Sequence, residues 1–337
     1  MVKETGVSYY GLTYPEHAER DFREMVEHNC TGVVLAITEF DLHFWYPNIP
    51  KIVKVAKDLG LTTHLDLWGI GKFFGGEPPS LFLQEHTGCR QVGALSNQPL
   101  PAACFNSPAF RRYFYGWAEK LAQDTEADGF FWDEPHYALD GSQGGDWTCR
   151  CPICQEEFRK TYGYEMPRAL TADVLEFRQE KGLEVLVEAA RRVKAIDPKL
   201  KVTACVLPTY STYYTPAGHG YGDWERVAST PEFDVFSTSI IGYDQPHQFF
   251  IDVGERTVQL AKKYGKESQR WIMSYFQSPP NLNYIKELVH LYAKQGVDSI
   301  YSWTYRAGKG TILSAPDPDS VWRILGEAYG EALTGRP

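Results

Sequence analysis

No stretch of this 337-residue chain is apolar for long enough to span a bilayer. Positive charge is in the minority. There are 34 Lys and Arg against 43 Asp and Glu, a net charge of −9, which argues against nucleic acid or an anionic membrane as partner. The opening MVKETGVSYYGLTYPEHAERDF has no basic segment leading into an apolar core, so no secretory leader and a cytoplasmic location are expected. Cysteine is present as an odd seven, with three crowded into Cys149-Arg-Cys151-Pro-Ile-Cys154, which does not suit a disulfide scaffold. The first strand-like stretch ends Gly11-Leu-Thr-Tyr-Pro15, with no glycine-rich phosphate turn, and this disfavours a doubly wound nucleotide fold. What is plentiful is aromatic: 9 Trp, 21 Tyr and 18 Phe in a chain that is 43% hydrophobic and plainly globular.

Strand-like and helix-like stretches alternate from end to end. Strands are predicted at 7–14, 32–38, 61–68, 129–134, 201–207, 233–241, 269–276 and 297–303. Helices are predicted from Glu16, over 49–59, from Ser107-Pro108 (N-cap and first helical position), as segments reaching Ile196, and over 223–228, 247–264, 283–294 and 319–333. Gly60 suits the residue just past a helix end. Eight strand–helix pairs in order predict one (β/α)8 barrel over 1–337, with long loops after the third, fourth and fifth strands.

Such barrels carry their chemistry at the C-terminal ends of the strands. Those ends supply the candidates. The fourth strand ends Trp132-Asp133-Glu134-Pro135-His136, and two adjacent carboxylates there are expensive to bury without a purpose. His64 and Asp66 face the same side of the third strand, followed by Trp68. Glu39 and Asp41 follow the second strand, Tyr243 and Asp244 the sixth, Tyr275 ends the seventh, and Trp303, Tyr305 and Arg306 end the eighth. Glu134, Asp133 and Asp66 are the catalytic candidates, with Glu39 and Asp244 as further partners. Glu39, His64, Trp68, His136, Tyr243, Asp244, Tyr275, Trp303 and Arg306 are candidate substrate contacts. Aromatics also crowd the loops: Trp45, Phe73, Phe74, Tyr137, Trp147, Tyr210, Tyr213, Tyr214, Tyr221 and Trp224. Rings at a barrel mouth suit the apolar faces of sugars, so a carbohydrate substrate is expected.

Cys149, Cys151 and Cys154 follow the fourth strand. Cys104 sits before Ser107-Pro108 in the neighbouring loop and can complete four thiolates, a closed structural zinc site, with Cys89 as the competing fourth ligand. Cys30 and Cys205 read as buried core cysteines.

These segments resemble the barrel of the family 42 β-galactosidases. There a Cys-x-Asn-Ser-Pro stretch and a Cys-x-Cys-x-x-Cys stretch together hold a structural zinc. Here they read Cys104-Phe-Asn-Ser-Pro108 and Cys149-Arg-Cys-Pro-Ile-Cys154. The wider clan ends its fourth strand Asn-Glu-Pro, and the resemblance gives Glu134 of Asp133-Glu134-Pro135 the role of general acid/base. Uncharacterised glycosidase-like barrels are similar through Asp128-Gly-Phe-Phe-Trp-Asp133. The chain departs from the clan at Asp133 and at the seventh strand end, Met273-Ser-Tyr-Phe-Gln277, where the clan's nucleophilic Glu has no counterpart. The implied function is glycoside hydrolysis by paired carboxyl groups. Two other classes stay open. One is a non-catalytic sugar-binding barrel, and the other a metal-dependent hydrolase or isomerase using His64, Asp66, Asp133 and His136. Homo-oligomerisation is left open too.

Overall fold

The computed structural model describes residues 1–139, 146–208, 221–276 and 279–335. Tyr210, Tyr213, Tyr214 and Gln277 lie outside the described residues. The strands in chain order are β1 (Glu4–Tyr9), β2 (Gly32–Ala36), β3 (Thr62–Asp66), β4 (Arg90–Val92), β5 (Pro99–Ala103), β6 (Gly129–Asp133), β7 (Lys201–Val206), β8 (Val235–Thr238), β9 (Glu267–Met273) and β10 (Ser299–Trp303). All but β4 and β5 form a closed parallel barrel in which β3 pairs with β6 and β10 closes on β1. This is the predicted (β/α)8 architecture. The helices are α1 (Pro15–Glu27), α2 (Ile49–Asp58), α3 (Leu81–Glu85), α4 (Pro108–Asp124), α5 (Pro152–Tyr162), α6 (Ala172–Ile196), α7 (Trp224–Ala228), α8 (His247–Lys263), α9 (Asn283–Gln295) and α10 (Pro318–Thr334). None is long and apolar enough to cross a membrane among the described residues.

Local chemistry sets the helix limits. Ser107 accepts from Phe110 N–H at 3.4 Å with Pro108 at the first helical position, opening α4 as its sequence predicts. Gly60 follows α2 at φ +81°.

The strands differ from expectation mainly at their ends. The first strand is Glu4–Tyr9 rather than 7–14, because the ladder with β10 starts at Glu4 opposite Ser299 and the chain turns where Leu12 N–H bonds Tyr10 C=O. The predicted run 233–241 shortens to Val235–Thr238, with Phe233 still in a turn onto Thr230. The loop after β3 is also not bare. It holds α3 and the antiparallel β4–β5 hairpin.

Two apolar cores result. The larger packs the outer strand faces on the helices. The smaller fills the barrel with Val34, Ala36, Phe131, Cys205, Trp271 and Tyr301, and is capped at the C-terminal end by Trp68 and Trp303. Alternation along each strand dictates this division, since every second residue faces inward.

Candidate active site

At the C-terminal mouth lies a cavity of about 110 Å³ lined by Trp68, Gly76, Glu77, Phe131, Asp133, Glu134, Cys205, Ser239, Ile240, Trp271, Tyr275 and Trp303. Asp133 and Glu134 both reach it, although neighbours on an extended strand point to opposite faces. The reason is the backbone. Glu134 has a φ of +39°, a left-handed turn that brings its side chain back toward the side Asp133 already faces. Two hydrogen bonds hold the turn. Glu134 N–H donates to Cys205 C=O at 3.1 Å, and His136 Nδ1 lies 2.8 Å from Glu134 C=O. A Cβ placed on Gly75 would sit 3.0 Å from both Asp133 Oδ2 and Glu134 Oε2. Those two oxygens are therefore no further apart than twice that distance.

The acids perturb one another. Burial pushes Glu134 up to about 7. A hydrogen bond from Ser239 Oγ to its Oε1 opposes the rise, and the charge of Glu77 adds to it. Burial likewise raises Asp133 well above the carboxylate range, helped by the charges of Asp66, Glu134 and Glu77. Asp66, fully buried, is raised by burial and then by Glu134, and neither of its oxygens has a hydrogen-bond partner. Asp66 pairs in register with Phe131, one layer below Asp133, and is not on the cavity wall. A carboxyl group near 7 in an aromatic-walled site can donate a proton at neutral pH.

The structure separates the other candidates. Trp68, Tyr275 and Trp303 line the cavity. His64 faces inward like Asp66, but two residues lower on the strand. It lines a cavity of about 670 Å³ at the N-terminal end, with Nε2 3.6 Å from Glu4 Oε1. Burial would raise Glu4, yet hydrogen bonding to His64 and its charge hold that carboxyl at about 2. Much of the charge around that lower cavity is already paired, as Lys3–Asp298, Lys57–Asp128 and Lys201–Glu267, each at 2.9 Å.

Glu39 is a structural clamp. Its carboxylate accepts from Gly71 N–H and Ser80 Oγ, each at 2.7 Å, and from Phe82 N–H at 2.6 Å. Asp41 caps its own turn through Thr38. His136 braces the Glu134 turn and does not line the cavity. Tyr243 donates to Met273 C=O, Asp244 is exposed beside Gln245, and Arg306 is tied to Glu24 of α1. Of the expected substrate contacts, Glu39, His64, His136, Tyr243, Asp244 and Arg306 are not on the wall of the mouth cavity. The His64/Asp66/Asp133/His136 metal grouping is also not assembled. Among the described residues, the one cluster that could hold a metal is made of cysteines.

The loop aromatics need a similar correction. Phe73, Phe74, Tyr137, Trp147, Tyr221 and Trp224 are buried in the outer core. The rings at the mouth come instead mostly from the strands and their ends, Phe131, Trp271 and Trp303, with Trp68 and Tyr275. Phe131 and Trp271 were not singled out in the sequence, because alternating strand aromatics look the same whether they face a site or a core. Glu77 and Ser239 were missed as well. The local sign for Glu77 is Gly75-Gly76-Glu77-Pro78, a turn that presents one carboxylate from the longest loop.

Cys104, Cys149, Cys151 and Cys154 are buried, with all four sulfurs within 4.8 Å of one another, and could bind a metal ion. Cys104 Sγ lies 3.5 Å from Cys151 Sγ and 3.4 Å from Cys154 Sγ. Asn106 Nδ2 donates to Cys154 Sγ at 3.3 Å. Cys89 stays outside the group and accepts from Cys104 N–H through its backbone carbonyl.

No known family's sequence profile matches the chain, and no curated protein matches it in sequence. Solved structures do match. A polyextremophilic β-galactosidase from the Antarctic haloarchaeon Halorubrum lacusprofundi superposes with a TM-score of 0.73 at 17% identity, covering 98% of this chain and 58% of that one. A catalytic mutant of a GH42 β-galactosidase from G. stearothermophilus gives 0.76 at 12% identity, covering 99% and 57%. The PgaB (BpsB) glycoside hydrolase domain from Bordetella bronchiseptica gives 0.67 at 10% identity, covering 96% and 99%. The chain thus spans a little over half the length of the two β-galactosidases and nearly all of the Bordetella domain. At these identities the likeness is one of fold: the chain is a (β/α)8 barrel of the kind on which these glycoside hydrolases are built.

Proposed function

We propose that this chain hydrolyses glycosidic bonds at the C-terminal mouth of its barrel, with Glu134 as the general acid. The observation that carries this is the pairing of Asp133 and Glu134 on the wall of a cavity faced by Trp68, Phe131, Trp271, Tyr275 and Trp303. The rings offer planes for the C–H faces of a sugar. Glu134, raised to about 7, protonates the leaving oxygen as the bond breaks. Asp133, on the same wall, contacts the sugar beside the breaking bond. Asp66 acts through Asp133, as a buried acid beneath it. The β-galactosidases among the fold neighbours make a β-galactoside the first substrate to test.

Cys104, Cys149, Cys151 and Cys154 would hold a structural zinc ion. A tetrahedron with zinc–sulfur bonds of about 2.3 Å has sulfur–sulfur edges of about 3.8 Å, near the observed separations. Four thiolates around one zinc carry a net negative charge. Arg178, buried over the Tyr137 ring at 4.1 Å and close enough to interact with Cys149 and Cys154, supplies an opposing one. The ion would tie the loop before α4 to the loop before α5, and takes no part in the reaction.

The test is turnover of a panel of alkyl glycosides, beginning with β-galactosides, by wild type and by Glu134→Gln and Asp133→Asn. Each variant should keep its fold and lose orders of magnitude in rate. Wild-type rates in both would reject the assignment. Sugar affinity with no turnover of any glycoside would favour the non-catalytic barrel.

A further inference from the structure

We propose that Glu77 is the second catalytic carboxylate, the base that takes a proton from the attacking water. This rests on reading the chain as a glycoside hydrolase with Glu134 as acid. Apart from Asp133 and Glu134, Glu77 is the remaining carboxylate on the cavity wall among the described residues. Glu39 is consumed by its three donors, Asp244 is exposed beside Gln245, and Asp66 lies below the wall. Asp133 and Glu134 both lie against Gly75, in the loop that carries Glu77.

The chain places Glu77 there by close packing. Gly75 N–H donates to Asp133 C=O at 3.1 Å, which ties the loop to the end of β6. Gly76, at φ +130°, lies so tightly on the Trp68 indole that a Cβ would come within 2.4 Å of Nε1. Lys72 Nζ donates to Gly76 C=O, and its ammonium is close enough to Glu77 for their charges to interact. The charge of Glu77 in turn reaches Asp133, Glu134 and Tyr10. Glu77 itself is exposed, at the solvent end of the site, where a water molecule can enter against it.

The step balances as a single displacement. Water loses a proton to the Glu77 carboxylate as its oxygen bonds to the anomeric carbon. The bond from that carbon to the leaving oxygen breaks, its electron pair goes to that oxygen, and Glu134 gives the oxygen a proton. Glu77 then returns its proton to solvent and Glu134 regains one. The product has inverted anomeric configuration.

The experiment uses the full chain and an alkyl glycoside that wild type hydrolyses. Glu77→Gln should keep the wild-type melting temperature, because the side chain is exposed. It should lose about 10²–10⁴-fold in kcat, and the first product seen by proton NMR from wild type should be inverted. A Glu77→Gln rate within threefold of wild type, with Glu134→Gln impaired, would overturn the role of Glu77 and leave the glycosidase reading intact. Retention of configuration would also overturn Glu77 as a base acting on water. Wild-type rates in both variants, or no turnover of any glycoside, would overturn the glycosidase reading itself.

Discussion

Asp66 offers a test of the site's electrostatics that does not depend on the substrate. Its carboxyl group is fully buried and both oxygens lack partners. Burial raises its pKa, and the charge of Glu134 adds to the rise. An acid raised in the folded state binds more protons folded than unfolded. Its contribution to stability is therefore fully present below the unfolded pKa and is lost as pH rises through the folded one. Unfolded Asp titrates near 3.9. Each pH unit above that over which the buried group stays protonated costs roughly 1.4 kcal/mol. Asp66→Asn removes that cost and exchanges one unpartnered neutral group for another. The variant should be more stable than wild type at pH 7, by roughly 1.4 kcal/mol for each pH unit through which the acid has stayed protonated, with the gap closing toward pH 4. Urea unfolding of both proteins from pH 4 to 8 measures this. Equal stability at every pH, or an Asp66→Asn protein weaker at pH 7, would refute the reasoning.

Other consequences follow from single contacts. Ser239→Ala removes the hydrogen bond that favours ionised Glu134, so the alkaline limb of the pH–rate profile should move up by about one pH unit; an unmoved limb would separate Glu134 from catalysis. Cys104→Ser should lower bound zinc, measured by elemental analysis, and lower the melting temperature, whereas Cys89→Ser should leave both unchanged. Glu39→Ala strands three buried donors and should cost about 3 kcal/mol or more in urea unfolding, without moving the pH limbs of any activity.

The fold was legible because its signals are local and repeated. Apolar runs such as 129–134 alternate with helical stripes such as Phe110, Phe114, Ala118 and Leu121, and the count closes at eight. Strand ends were less so, because pairing with a neighbour decides them, as at Glu4. The site was half legible. Asp133 and Glu134 announce themselves as adjacent acids after a buried strand, and the four cysteines by their spacing. What sequence could not convey is direction along the barrel axis. His64 and Asp66 share a face, yet two residues of rise put His64 toward the opposite end. Nor could it show which partners a carboxylate already has. Glu39 and Glu77 both follow barrel strands, and three donors within reach of Glu39 fix it as a clamp, while Glu77 is left facing the cavity.

The central claim is that Glu134 delivers the proton, and the dependence of rate on the leaving group tests it most directly. For a 2,4-dinitrophenyl glycoside the departing oxygen needs no proton, and for an alkyl glycoside it does. Glu134→Gln should therefore fall about 10²–10⁴-fold on the alkyl glycoside and stay within about tenfold of wild type on the dinitrophenyl one. Equal losses on the two substrates would contradict the account.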